Sequence, residues 1–167
     1  MGTIQRQDGF TLTELIIAIA VLAIVVAAAT PSFFRMIEKE RLELTVETVI
    51  ADFNFFRQEG LKRRVPDFAF NVSDGTSWCY GIAVGTCSCT TVNSCTVRQV
   101  TGSDFNGIAT VSSSAAKYTY DWVRGTVTAG TITFNTAGGY DLRIVINGLG
   151  RASICSPSDN IPAYQSC

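Results

Sequence analysis

Six cysteines, Cys79, Cys87, Cys89, Cys95, Cys155 and Cys167, carry the most reactive side chains of this chain, and all lie from residue 79 onward. An even number confined to one region fits disulfides in an oxidising compartment. Zinc is the competing chemistry, but Cys87, Cys89 and Cys95 lack the paired CxxC spacing of common structural sites, and the chain has no histidine to complete one. A Cys155–Cys167 bridge would close a short Pro-containing loop at the C-terminus and leave the other four to pair among themselves. Cys87 and Cys89 suit each other badly, because extended flanking backbone separates their side chains beyond the roughly 4 Å Cβ spacing of a disulfide.

The remaining polar residues form no catalytic constellation. Without histidine there is no histidine-based triad or imidazole ligand. Asp67, Asp74, Asp104, Asp121, Asp141 and Asp159 are scattered with no motif around them. Gly138-Gly139 lacks the following lysine and helix of a phosphate loop. A noncatalytic protein with no cofactor and no metal is expected. Glu14 stands apart as a carboxylate at the start of a twenty-residue uncharged run, Leu15 to Phe34. Such a group is costly to desolvate unless it meets a partner.

Those residues must be positioned by two kinds of element. As a helix the uncharged run rises about 30 Å, the thickness of a bilayer's hydrocarbon core. A secretory signal peptide is the competing reading. Against it stand Glu14, the length of the run and the helical pattern that follows: Leu42, Val46, Val49, Phe53 and Phe56 recur at steps of four and three, with Arg41, Glu43, Glu47, Asp52 and Arg57 between them. One helix from about Thr11 to Lys62 therefore has an apolar first half and an amphipathic second half. Pro31 removes a backbone hydrogen bond inside it, so a bend or loosened turn is expected around residues 27 to 31. Arg6 precedes the apolar run whereas Arg35, Lys39 and Arg41 follow it, which by charge alone puts the N-terminus outside. The cysteines after the span require the opposite orientation, and they weigh more.

The run Gly9, Phe10, Thr11, Leu12, Thr13, Glu14, Leu15 resembles the processing site of type IV prepilins and type II secretion pseudopilins. The resemblance implies cleavage after Gly9 by a prepilin peptidase, methylation of Phe10 as the new N-terminus, and Glu14 as the glutamate that meets the N-terminal amine of a neighbouring subunit. Pro31 matches the family's helix proline. The stretch Ala51 to Arg63, and near the C-terminus Thr131 to Asn135, Leu142 to Asn147, Gly148 to Arg151 and Ile154 to Pro157, resemble the GspH/FimT family, which includes the minor pilin FimU. Its implied organisation is a leader over residues 1–9, a transmembrane and filament-core helix half over 10–34, an amphipathic half over 35–64 and a disulfide-containing head over 65–167. The implied partners are other minor and major pilins, the peptidase, an inner-membrane assembly platform and, before assembly, the bilayer. The implied location is the inner membrane with a periplasmic head, then a pilus or pseudopilus.

DNA is the less favoured partner. Some DNA-binding members carry Gly-Arg-x-Arg near the C-terminus; here Gly150 and Arg151 are followed by Ser153 where the second arginine would stand, leaving Arg143 and Arg151 as the candidate contacts. Phosphate binding needs clustered cations. Overall the chain carries 13 Lys plus Arg against 14 Asp plus Glu.

After Arg64 the pattern turns to short extended stretches. Phe68, Phe70 and Val72 alternate with smaller residues, as do Trp78, Tyr80 and Ile82. Further strands are expected at Thr96 to Val100, Ile108 to Val111, Tyr118 to Val123, Thr131 to Phe134, Tyr140 to Ile146 and Arg151 to Ile154, punctuated by turn dipeptides such as Asp74-Gly75 and Asn106-Gly107. The fold class is α+β, with the amphipathic half of the long helix laid on an antiparallel sheet. The leading function is that of a minor type IV pilin in a priming or tip complex for pilus biogenesis and twitching motility. The alternatives are a type II secretion pseudopilin and a DNA-binding pilin for natural transformation.

Overall fold

The structure, a computed structural model, describes residues 10–167, which divide into one unit ending at Met36 and a second running from Ile37 to Cys167. Helix α1 (Leu12–Arg63) has 52 residues, and Pro31 lies inside it. At its start the Thr11 hydroxyl accepts a hydrogen bond from the Glu14 N–H at 3.2 Å, which satisfies one of the orphan donors of the first turn. It ends where Arg64 turns left-handed (φ 52°) ahead of Pro66, which disfavours helical backbone at the residue before it.

Residues 10–36 are exposed throughout. This apolar stretch has a mean hydropathy of 2.7 over its best window, and α1 is long and apolar enough to cross a membrane.

The second unit holds nine strands in two antiparallel sheets. The first contains β1 (Phe68–Ser73), β2 (Cys79–Val84), β3 (Arg98–Thr101), β5 (Lys117–Asp121) and β6 (Thr126–Val127) in the order β3-β2-β1-β5-β6. The second contains β4 (Ile108–Ser113), β7 (Gly130–Thr136), β8 (Asp141–Ile146) and β9 (Ala152–Cys155) in the order β4-β7-β8-β9. A bridge between Gly75 and Val111 and a hydrogen bond from the Val127 N–H to the Gly148 carbonyl tie the sheets together.

Register explains the core. Phe70 lies opposite Ile82 on one side and Tyr118 on the other, and Phe68 lies opposite Val84 and Tyr120, so alternate residues of three strands share one face. Leu42, Val46, Val49, Phe53 and Phe56 of α1 are fully buried with that set. Phe53 meets Phe70 edge-on at 5.6 Å, and Phe56 stacks on Phe68 at 5.4 Å. Each large side chain removed from water contributes roughly 1.5–3 kcal/mol. Gly60 allows this approach: a Cβ there would lie 2.6 Å from the Tyr120 ring.

The other face of β1 and β2 is covered as well, so the expected alternation of buried and exposed positions gives way to nearly continuous burial. Disulfides Cys79–Cys89 and Cys87–Cys95 interleave and fold residues 85–97 back over β2. A Cβ at Gly81 would collide with Cys95. This excursion also delays the next strand, which begins at Arg98 rather than at Thr96. Cys155–Cys167 closes the C-terminal loop.

Candidate functional site

The residues implied in processing and assembly lie at the start of α1. Gly9 falls outside the described residues. Phe10 is 83% exposed, and Glu14 occupies the first turn of the helix between the exposed apolar side chains of Leu12 and Leu15. Among the described residues Glu14 forms no ion pair. Its acidic side chain lies in the first turn, near the positive end of the helix dipole, with Thr11 and Thr13 before it and the uncharged apolar run after it. That arrangement can accept one compact cation delivered from outside the chain. Pro31 has no N–H to donate to the Ala27 carbonyl, while the neighbouring Thr30 hydroxyl donates to the Val26 carbonyl at 2.7 Å.

The candidate DNA contacts are not brought together. Arg143, on β8, pairs in register with Cys155 and donates from Nε to the Thr133 hydroxyl at 3.0 Å. Arg151 lies in the β8–β9 turn, where its N–H donates to Asn147 Oδ1 at 2.9 Å. Four strand positions separate the two along the ladder, about 13 Å. Gly150 has a structural reason of its own. Its backbone is left-handed (φ 73°), and a Cβ would lie 2.7 Å from Arg57 Nε.

Two matches to known families cover these regions. Residues 4–30 match the prokaryotic N-terminal methylation motif, and residues 45–150 match type II transport protein GspH. The chain belongs to the GspH family. Its motif and domain together make this GspH-family protein a pilin or pseudopilin, a structural class of protein. No curated protein and no solved structure matches it. The GspH match begins at Thr45 and stops at Gly150, so Arg151 and the Cys155–Cys167 loop lie beyond it.

Within the GspH-family head, several polar contacts escaped the sequence reading. Asp52, assigned to the polar side of the helix by spacing, is instead only 6% exposed. It accepts from Arg98 Nε at 2.7 Å and from the Tyr80 hydroxyl at 2.6 Å, so a helix carboxylate pins the edge strand β3. Burial, then the hydrogen bond to Asp52, push the Tyr80 phenol far above its ordinary range. Glu38 accepts from the Gly138 N–H at 2.6 Å, and Lys39 lies over the Tyr140 ring, so α1 also holds the β7–β8 turn. On the same helix Glu43 is raised above the ordinary carboxylate value, chiefly by burial and then by Glu47 and Glu40. The Tyr164 hydroxyl donates to Glu47 at 3.4 Å, docking the C-terminal loop beside these acids. The partners of Asp52, Glu38 and Glu47 are distant in sequence, and local periodicity carries no trace of them.

Proposed function

We propose that this protein is a minor subunit of a type IV pilus, acting in the priming or tip complex that starts filament assembly and thereby in twitching motility. The observation that carries the reading is the union on one chain of the methylation motif at residues 4–30 with the GspH domain at 45–150. In this reading a prepilin peptidase cuts after Gly9 and methylates Phe10. The helix over residues 10–34 holds the subunit in the inner membrane with the head in the periplasm, and then enters the filament core. Glu14 supplies the negative charge that selects the N-terminal amine of an adjoining subunit, an ion pair strengthened by the low dielectric around it. The missing hydrogen bond at Pro31 lets the helix yield locally as it leaves lipid for protein neighbours.

A second reading has support of its own, since the matched family is named for type II transport. There the same device would seed a secretion pseudopilus. The test is a clean deletion strain compared with its parent and a complemented strain, measuring pilin sheared from the cell surface together with secreted exoprotein. Loss of surface pilin restored by complementation supports the pilus role. Normal pili with impaired secretion would replace it by the pseudopilus role. Uptake of DNA through Arg143 and Arg151 is the weakest alternative, because Ser153 stands in place of a second arginine.

A further inference from the structure

We infer that the head carries a saccharide-binding cleft at the seam of its two sheets, built around the indole N–H of Trp78. The cleft has a volume of about 370 Å³ and is lined by Thr76, Ser77, Trp78, Thr101, Gly102, Ser103 and Ile108. This lies in the lower part of the size range of small-molecule sites. No charged side chain lines it, so nothing there neutralises a phosphate or carboxylate.

Trp78 is only 2% exposed. Its ring stacks on Phe105 at 5.6 Å and lies perpendicular to Phe134 at 5.7 Å, so stacking on Phe105 occupies one face and the indole N–H edge lies toward Gly102 of the cleft. The indole N–H makes no hydrogen bond to the described residues and is not among the sealed, unpartnered polar atoms, and Trp78 lines the cleft. An indole nitrogen is a donor only, so this N–H can serve an acceptor on a ligand and nothing else. Gly102 keeps the approach open, because a Cβ there would lie 2.9 Å from Trp78 Nε1.

The adjoining segment, whose Gly102 N–H donates to the Trp78 carbonyl at 2.8 Å, supplies the complement. Asp104 Oδ2 accepts from the Thr101 hydroxyl at 3.1 Å and from the Thr101 N–H at 3.0 Å. With its proton committed to that carboxylate, the Thr101 oxygen receives the proton of Ser103 Oγ, 2.7 Å away. The Ser103 oxygen is then left as an acceptor. A fixed donor and a fixed acceptor in one uncharged cleft, with the Thr76 and Ser77 hydroxyls at its rim, match neighbouring hydroxyls of a sugar ring. Each can accept from Trp78 or donate to Ser103, and Ile108 meets the apolar ring edge. The inference stands independently of the filament role.

The test uses the full chain, labelled with nitrogen-15 in its tryptophan side chains and held in phosphocholine micelles, since a maltoside detergent would itself be a saccharide. Methyl glucoside, methyl galactoside, N-acetylglucosamine and cellobiose are titrated, with triglycine as the peptide comparison. The Trp78 indole resonance is expected to move saturably with at least one saccharide, with Kd about 1 mM, while that of Trp122 stays in place. Ser103→Ala is expected to weaken binding by about three- to tenfold, and Gly102→Ala to abolish it. Ser103 is exposed, so its variant tests the site without depending on the core. The inference is overturned if no saccharide moves Trp78 saturably, if triglycine alone does so, or if Ser103→Ala binds as the parent does.

Discussion

The exposed apolar helix of residues 10–36 and the head of residues 37–167 obey different physical rules. In the first, no side chain is buried by its own chain, so its properties are those of composition: hydropathy, one carboxylate and one proline. In the second, side chains far apart in sequence decide almost everything. Phe53 is placed by Phe70 and Tyr118, Cys79 by Cys89, and Asp52 by Arg98. A substitution in the helix should therefore act on assembly without touching the stability of the head, whereas one in the head should act through folding.

The largest effect expected is that of Glu14→Ala. Entry into the filament, read as the subunit's share of sheared fibres, should fall by about tenfold or more, the factor that ~1.4 kcal/mol of lost pairing gives. The melting temperature of the head should stay at the parental value. A shifted melting temperature would break the division between the two regions.

In the head, Phe53→Ala should cost about 3–5 kcal/mol in chemical denaturation, because a side chain 1% exposed leaves a cavity that its aromatic neighbours cannot fill. Removing the C-terminal bridge by Cys155→Ser with Cys167→Ser should cost about 2–4 kcal/mol. A loss near zero would mean that the docking of Tyr164 on Glu47 holds that loop unaided. Asp52→Asn should cost about 1–3 kcal/mol, less than for a sealed ion pair, because the Arg98 side chain is 45% exposed and can turn to water. A double-mutant cycle with Arg98→Gln measures the coupling.

The smallest effect concerns pH. Glu43 has a folded pKa raised by burial and by its acidic neighbours, so the folded state binds its proton more tightly than the unfolded state does. Its contribution therefore favours folding at acid pH and is lost as pH rises from the ordinary carboxylate value through the raised one. Glu43→Gln should flatten that part of the stability profile and raise stability slightly at neutral pH. An unchanged profile in urea titrations at several pH values would remove Glu43 from the account.

Much of this molecule was legible as sequence. The apolar run, the amphipathic spacing of Leu42 to Phe56 and the short extended stretches are local signals, and they located α1 to within a residue at each end as well as strands β7 and β8. The N-terminal methylation motif of residues 4–30 is local too, because it is made of consecutive residues. Strand order, the interleaved pairing of Cys79, Cys87, Cys89 and Cys95, the burial of Asp52 and the cleft at Trp78 were decided only by tertiary structure. Each depends on which distant backbone lies opposite: β1 takes β2 and β5 as neighbours, and the disulfide segment folds over β2 only because Gly81 leaves room for Cys95. Periodicity states which face of an element is apolar, but what covers that face is settled when the long-range contacts form.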